Sequence, residues 1–448
     1  MDQKRGEETR DRGCRDRRVI FGWAVYDWAN SAYITTIAVA VLPMYFAGVI
    51  VPPEGFRIGD TLFAAETLWG FMVSAAAFFV FIMAPVLGAI ADYYALKKRF
   101  LFGFCYLGVV SAALLGFCAA GDVWPTIILF VLSQVGFVGA NVFYDAFLPQ
   151  IAGPEEQDRV SSFGYALGYA GGGLQFAGVL LLIAFHDRFG LTTTDAARVG
   201  IVSAALWWGG FALVTARWLR EPAGSEPGKR FRFSRSVAVG FSRVWKTMLR
   251  VGRIRHLLLF LVAFLVYNEG IQTVIQMATM YGKQELGLPA TALMVTLLTV
   301  QVVGIAGAVL FGRIAALIGT KRAVMVSLAV WSGVVVYAYF INSPLEYFVL
   351  GGVVGLVLGG SQAISRSLYA SMIPETAPAE FFGFYSVVNK FSAVWGPFIF
   401  ALIRHWSGSS RNAILSVIVF FLLGIVLLAL VNEQEARAGR AALDLDEG

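Results

Sequence analysis

Long apolar runs, separated by short polar or charged stretches, make up most of the 448-residue chain. A helix needs about 20 apolar residues to cross the hydrocarbon core of a bilayer, and twelve runs reach or approach that length. Polar residues interrupt the run at 345–370, which makes it the least regular of the set. We predict membrane-spanning helices at residues 20–48, 69–91, 100–120, 124–147, 160–185, 199–219, 256–280, 290–317, 323–341, 345–370, 383–404 and 411–431.

The composition excludes an ordinary soluble protein. Hydrophobic residues form 58% of the chain and charged residues 14%, whereas roughly a quarter of the residues in a soluble domain are charged. The mean hydropathy is +0.70. The three cysteines, Cys14, Cys105 and Cys118, are an odd set without the spacing of a disulfide framework or a metal site. We therefore expect neither a metal nor a cofactor.

The net charge of +6 is distributed in a way that predicts topology. If the N-terminus is cytoplasmic, the basic segments at 4–18, 97–99 and 217–255 all fall on the cytoplasmic side. This asymmetry follows the positive-inside rule and predicts that both termini are cytoplasmic. It disfavours a nucleic-acid partner. Short loops and the absence of an N-x-[ST] sequence favour a multi-pass protein of a bacterial inner membrane.

A charged interruption that contains Gly and Pro divides the predicted helices six and six. Its second part carries apolar residues at helical spacing, at Val237, Phe241, Val244, Trp245 and Met248. This spacing predicts an amphipathic helix on the anionic membrane surface, with a soluble loop helix as the alternative. The predicted organisation is a basic tail at 1–19, a bundle at 20–219, a linker at 220–255, a second bundle at 256–431 and a tail at 432–448.

The two halves resemble each other at corresponding helices. The sequence Val25-Tyr26-Asp27 in helix 1 matches Val266-Tyr267-Asn268 in helix 7, and helices 4 and 10 close with related segments at 144–149 and 369–374. Parallel six-helix repeats around a central cavity are the architecture of major facilitator transporters, which work by alternating access. We therefore predict an all-α membrane protein with two pseudo-symmetric six-helix bundles.

The segment 88–99 resembles the major facilitator loop motif, in which a Gly and an Asp precede a basic cluster. The resemblance implies a cytoplasmic latch between the halves, formed by Gly88, Asp92, Lys98 and Arg99. The usual Arg after the Asp and the Gly two positions later are replaced here, since residues 93–94 are both Tyr. A simple topology-setting charge at a short loop is the alternative.

Longer segments resemble the vacuole-effluxer-like branch of the major facilitators, the autophagy-related amino-acid effluxers, including its bacterial members. These segments are YDWANSAY at 26–33, FYDAFLP at 143–149, FGYALG at 163–168, GGSQAISRSL at 359–368 and EFFGFY at 380–385. The fungal relatives are associated with release of amino acids from the vacuole, whereas most bacterial members lack an assigned substrate. The resemblance therefore implies the major facilitator fold and makes amino acids the first substrates to consider.

Five ionisable residues lie well inside the predicted helices: Asp27, Asp145, Glu269, Arg366 and Lys390. Such groups cost roughly 2.5–3.5 kcal/mol on insertion scales unless they are paired or face water. In the major facilitator fold, helices 1, 4, 7 and 10 line the cavity, so we expect the two aspartates to meet Arg366 and Lys390. A gate whose ion pairs break during transport and a permanent structural pair are both consistent with this pattern.

Glu269 lies in the middle of helix 7, one turn from Gln272, and no basic residue is obvious at its depth. It is a candidate proton carrier, a candidate site for a substrate ammonium group, or a hydrogen-bonded polar site. Further polar residues are predicted to line the pathway, at Asn30, Tyr33, Asn141 and Gln362.

Other functional classes receive less support from the sequence. No G-x-x-x-x-G-K-[ST] motif occurs, which disfavours an ATP-driven pump, and the three histidines form no H-E-x-x-H motif or catalytic set. We predict a secondary active transporter, and not an enzyme, that moves a small solute such as an amino acid with proton coupling. It is expected to act as a monomer in the bilayer. A translocator of lipids or other metabolites, and a non-transporting receptor or assembly factor on the same fold, are the alternatives.

Overall fold

The computed structural model describes residues 17–221, 255–392 and 395–438. The predicted amphipathic helix of the linker and most of both tails lie outside these ranges. The described part contains twelve helical spans that are long and apolar enough to cross a membrane, and each overlaps one of the predicted segments. The interrupted segment 345–370 is continuous helix from Pro344 to Met372.

The helices are numbered α1 to α12 in chain order. In the N-terminal half they are α1 Arg17–Ile50, α2 Ala65–Tyr94, α3 Lys97–Leu115, α4 Val123–Ala146, α5 Gln157–Ala184 and α6 Thr193–Trp218. In the C-terminal half they are α7 Arg255–Leu286, α8 Ala290–Ile318, α9 Thr320–Phe340, α10 Pro344–Met372, α11 Pro378–Ser407 and α12 Ser410–Ala429.

Several helices contain local irregularities. α1 changes to π-helix over Tyr33–Val41 and again over Phe46–Ile50, and α11 is described as Pro378–Phe391 and Trp395–Ser407. Shorter elements follow α4 at Leu148–Ile151 and α5 at His186–Phe189, and α12 consists of Ser410–Ser416 and Ile418–Ala429. An antiparallel hairpin, β1 Phe56–Ile58 and β2 Thr61–Phe63, connects α1 to α2.

Local sequence explains where helices begin. Thr192 and Asp195 form a capping box at the start of α6, and Ser343 and Glu346 form one at the start of α10. Such caps satisfy backbone N–H groups that have no partner inside the helix. Pro344 follows its cap at the first helical position, where a missing N–H has no consequence.

The halves meet through α5 against α8 and α10, and through α11 against α2 and α4. Glycine permits the closest approach: a Cβ on Gly383 of α11 would lie 2.8 Å from the Cα of Pro85 in α2. A Cβ on Gly88 would likewise collide with the backbone of Ala379 at the start of α11. We call the bundle end at which Arg17, Lys97 and Arg255 lie the basic face, and these two contacts bring the halves together on its side.

Candidate functional site

A buried cluster of charges joins the two halves. Arg366 of α10 is only 2% exposed. Its guanidinium lies 3.3 Å from Asp27 of α1 and 3.0 Å from Asp145 of α4. The predicted meeting of both aspartates with Arg366 is therefore confirmed. The cluster carries two acids against one base, so both aspartates depend on a single cation.

Further hydrogen bonds and ring contacts hold Arg366 and Asp27 in this cluster. Arg366 donates from Nε to the Ser161 hydroxyl and from Nη2 to the Ser161 carbonyl, each at 3.0 Å. Tyr144 donates its hydroxyl to Asp27 at 2.7 Å. The guanidinium also lies over three rings, with centroid distances of 4.2 Å to Tyr165, 4.9 Å to Trp23 and 5.5 Å to Tyr144. Hydrogen bonds and cation–π contacts of this kind offset part of the desolvation cost of a buried charge.

Lys390 does not join this cluster, and the prediction that it pairs with one of the aspartates is wrong. It makes no hydrogen bond or ion pair with any residue that the structure describes. Depth explains the difference, because Lys390 lies about 18 Å along α11 from Pro378, whereas Arg366 lies about 9 Å from the end of α10 at Met372. Lys390 is therefore closer to the bilayer midplane than Arg366.

Predicted polar residues above the cluster pair with one another. Asn30 donates to Asn141 at 2.7 Å, which links α1 to α4. Tyr33 and Ser133 share a hydrogen bond of 2.7 Å between the same helices. Gln362 of α10 accepts from the hydroxyl of Tyr169 in α5 at 2.9 Å, so this pair crosses between the halves. The positions agree with a polar path, and the role of these residues in transport stays a prediction.

Glu269 is buried on α7 and faces α11. One of its carboxylate oxygens accepts the backbone N–H of Gly396, and it forms no ion pair within the described ranges. The neighbouring Asn268 donates to Asn389 at 2.8 Å and also to Ser392. Gln272 is half-buried and has no side-chain hydrogen bond with the part of the chain described here. Glu269 therefore combines burial with a neutral partner, which is compatible with each of its three predicted roles.

The predicted latch at the basic face is partly correct. Asp92 accepts the backbone N–H of Glu380 at the start of α11 at 2.8 Å, so it does connect the halves. Its basic partner is Lys97, at 3.2 Å, and not Lys98. Lys98 instead donates to the carbonyl of Leu219, in its own half. Arg99 is exposed and forms no contact of this kind among the residues described. The assignment of Lys98 and Arg99 to an inter-half latch is therefore wrong, because Lys97 follows the turn at 95–96 and reaches Asp92, whereas Lys98 reaches Leu219.

Glu221, which follows α6, lies beside the start of α3. Its carboxylate lies near the backbone N–H groups and the side-chain charges of Lys97 and Lys98; burial raises the pKa of Glu221, while these neighbouring groups oppose that shift. The start of α3 is thus held against the end of α6. A fixed α3 keeps Lys97 beside Asp92.

Comparison with known proteins identifies the family. Residues 63–441 match the family described as vacuole effluxer Atg22 like. The chain belongs to this family. The MFS-type transporter YxiO of Bacillus subtilis, described as uncharacterized, is 33% identical over 418 residues, which cover 92% of this chain and 94% of that relative. Autophagy-related protein 22-1 of Neosartorya fischeri is 30% identical over 307 residues, which cover 64% of this chain and 50% of the fungal protein.

Solved structures agree on the fold. The human organic anion transporter MFSD10 superposes with a TM-score of 0.69 at 14% identity, over 92% of this chain and 99% of that one. The Atg22-like chain therefore has the major facilitator fold with twelve membrane helices, as predicted, and is a multi-pass membrane protein of the transporter type. Its relatives and structural neighbours are transporters and not enzymes.

The site of this Atg22-like chain also contains residues that the sequence did not single out. Asp158, at the start of α5, accepts hydrogen bonds from Thr320 of α9 at 2.6 Å and from Ser367 of α10. This second contact between the halves lies near the basic face. Gly164 of α5 faces the charge cluster, and a Cβ there would lie 2.8 Å from an oxygen of Asp27. Gly164 belongs to the segment FGYALG at 163–168, one of the motifs that resemble the family. That motif could therefore have drawn attention to this glycine.

Proposed function

We propose that this protein is a secondary active transporter that moves a small solute between its two halves by alternating access, with coupling to protons. The observation that carries the proposal is the cluster of Asp27, Asp145 and Arg366. It joins α10 of one half to α1 and α4 of the other through buried ion pairs. Ion pairs of this kind can separate and re-form as the halves move.

The distribution of contacts between the halves supports a state closed at the basic face. Side-chain hydrogen bonds cross between the halves over part of the bundle in the described ranges. They begin where Gln301 donates to Thr35, near the middle of α1, and end at Asp158 and Asp92 near the basic face. Alternating access requires the opposite end to close when this set breaks. The breakable set is therefore the gate of the proposed cycle.

Glu269 supports the coupling to protons. It is a buried carboxyl whose described partner is a backbone N–H, so it can gain or lose a proton without leaving a charged partner behind. It lies on α7, the helix that corresponds to α1 in the internal repeat. We assign the proton to this residue and the solute to the space between the halves.

The remaining proposals concern placement and substrate. We place the basic face in the cytoplasm of a bacterial cell, with both termini on that side of the inner membrane and a monomer as the working unit. Amino acids are the first substrates to test, because of the resemblance to the autophagy-related effluxers. Lipids and other metabolites remain outcomes of the same test.

The decisive experiment is counterflow in proteoliposomes with a panel of amino acids and small peptides at two pH values. Wild-type protein should exchange at least one panel solute, and an imposed pH gradient should drive its accumulation. Glu269→Gln should abolish the gradient-driven accumulation. Absence of all exchange by folded, correctly inserted protein would contradict the proposal for these solutes and would redirect the search to lipids or to a non-transporting role.

A further inference from the structure

Lys390 is an isolated cation deep in the membrane-spanning part of the protein. It lies about 18 Å along α11 from Pro378, inside the span Pro378–Ser407. A lysine at this depth lies too far from the interface to place its ammonium group among lipid headgroups, as lysines near helix ends do. Its charge therefore needs either a partner or water inside the protein.

No protein group in the described ranges compensates this charge. Asp27 and Asp145 are engaged by Arg366, which lies about 9 Å nearer the basic face in helix rise. Glu269 is engaged by the backbone N–H of Gly396. No carboxylate in the described ranges forms an ion pair with the Lys390 ammonium group. The acids that could have neutralised it are thus committed elsewhere.

The position of Lys390 on α11 indicates where its side chain faces. It follows Gly383 by seven residues, or about two turns, so the two share one face of the helix. Gly383 packs against Pro85 of α2, across the boundary between the halves. Lys390 is only half-buried. It therefore lies on the α11 face that borders the space between the halves, above the closed end.

A second polar group without a side-chain partner lies nearby in the fold. Asn389, adjacent to Lys390, bonds to Asn268 of α7, and Gln272 follows Asn268 by one turn on α7. Gln272 is also half-buried and has no side-chain hydrogen bond with the described residues. An ammonium group and a carboxamide N–H₂ on the packed helices α11 and α7 are the donors that a carboxylate requires.

We propose that Lys390 is the anion-binding residue of the transport pathway and that the solute carries a carboxylate, for which Gln272 is a further donor. This inference rests on the proposed transport function and adds the substrate class to it. It also explains why an uncompensated cation persists at this depth, since the transported solute supplies the counter-charge when it binds.

The test compares acids with their amides on Lys390 variants. Wild type, Lys390→Met and Lys390→Arg are reconstituted and assayed by counterflow with L-leucine, L-alanine and pyruvate and with L-leucinamide, L-alaninamide and pyruvamide. The same probes are added to purified protein in thermal-shift measurements, which report binding without transport. Lys283→Met, at the exposed far end of α7, is the matched control because it makes the same change outside the pathway.

Wild type and the Lys283→Met control should prefer at least one acid over its amide. Loss of one charged hydrogen bond should raise the KM or Kd of Lys390→Met for that acid on the order of tenfold to a hundredfold. Lys390→Arg should keep the preference for the acid, because it keeps the charge.

The outcomes separate the two proposals. Transport with equal use of acid and amide, or an unchanged KM in Lys390→Met, overturns the carboxylate site and leaves the transport function intact. Lys390-dependent binding of an acid without any counterflow supports the site and contradicts transport. If no acid of the panel binds or exchanges, both are overturned for these solutes.

Discussion

Arg366 of α10 and Asp27 of α1 form an ion pair at 3.3 Å although they are 339 positions apart in the sequence. Each belongs to a different six-helix half, and each has further partners in the buried cluster. The contact is therefore a direct mechanical link between the halves, and its strength bears on how readily they separate.

Replacement of Asp27 by Asn should favour the open state of the basic face. The substitution keeps the shape of the side chain and removes the charge that faces Arg366, and a hydrogen bond to a charged group contributes about 1.5–3 kcal/mol. Single cysteines near the basic face should then react about tenfold faster with a membrane-impermeant thiol reagent, and cysteines at the other end more slowly. Asp195→Asn is the control, because Asp195 lies at the start of α6, at the end of the bundle opposite the basic face. A lower melting temperature with unchanged accessibility at both ends would instead identify a permanent structural pair.

Gly164 should tolerate no side chain. A Cβ at this position would lie 2.8 Å from Oδ2 of Asp27 and 3.1 Å from Nη2 of Arg366, so Gly164→Ala must displace the charge cluster. Overpacking of this kind costs about 1–3 kcal/mol. We expect a lower melting temperature in detergent and reduced counterflow.

The same helix provides the control for that substitution. Gly178 lies on α5 as well, and a Cβ there would meet no atom within 4 Å. Gly178→Ala should therefore keep the wild-type melting temperature or raise it slightly, since Ala favours the helix over Gly by about 1 kcal/mol. Equal effects of the two alanines would show that the cluster adapts to the added methyl group.

The fold was predictable because its main determinants are local in sequence. Apolar length and intervening charge are read from each segment alone, and even the irregular segment 345–370 forms helix throughout. The buried charges could also be identified from the sequence, because ionisable residues inside membrane spans are rare and need partners. The pairing of Asp27 and Asp145 with Arg366 followed from that need.

Partner choice was less predictable because it depends on the rotation and depth of each helix. Lys390 and Arg366 carry the same charge on neighbouring helices, yet only Arg366 lies at the depth of the aspartates. Lys97 and Lys98 are adjacent, yet they face Asp92 and Leu219 respectively. In the sequence, Asp158 cannot be told from the acidic residues that are common in the first turn of a helix. Its contacts with α9 and α10 in the structure show its role between the halves.

Glu269→Gln should uncouple transport from protons without damage to the fold. The amide oxygen of Gln can still accept the backbone N–H of Gly396, so the contact between α7 and α11 survives. We expect solute exchange within about twofold of wild type, whereas accumulation driven by an inward or outward pH gradient should vanish. Glu285→Gln, on the same helix but paired with Arg411 at 3.0 Å, is the control and should retain gradient-driven transport. Retention of gradient-driven transport in Glu269→Gln would assign the proton to another residue.

Asp158→Asn should weaken the second contact between the halves at the basic face. Asp158 accepts from Thr320 at 2.6 Å and from Ser367, so a single carboxylate of α5 holds both α9 and α10. An Asn side chain offers one acceptor oxygen in place of two, and the lost charge-assisted hydrogen bond should shift the open-to-closed ratio by about tenfold.

Glu156→Gln is the matched control, because Glu156 lies two residues away and pairs only with the exposed Arg159 among its described neighbours. Distances between spin labels placed on α5 and α9 at the basic face would report the shift directly. Longer distances in Asp158→Asn and unchanged ones in Glu156→Gln are expected. Wild-type distances in both variants would mean that Asp92 and the Arg366 cluster suffice to hold this face closed.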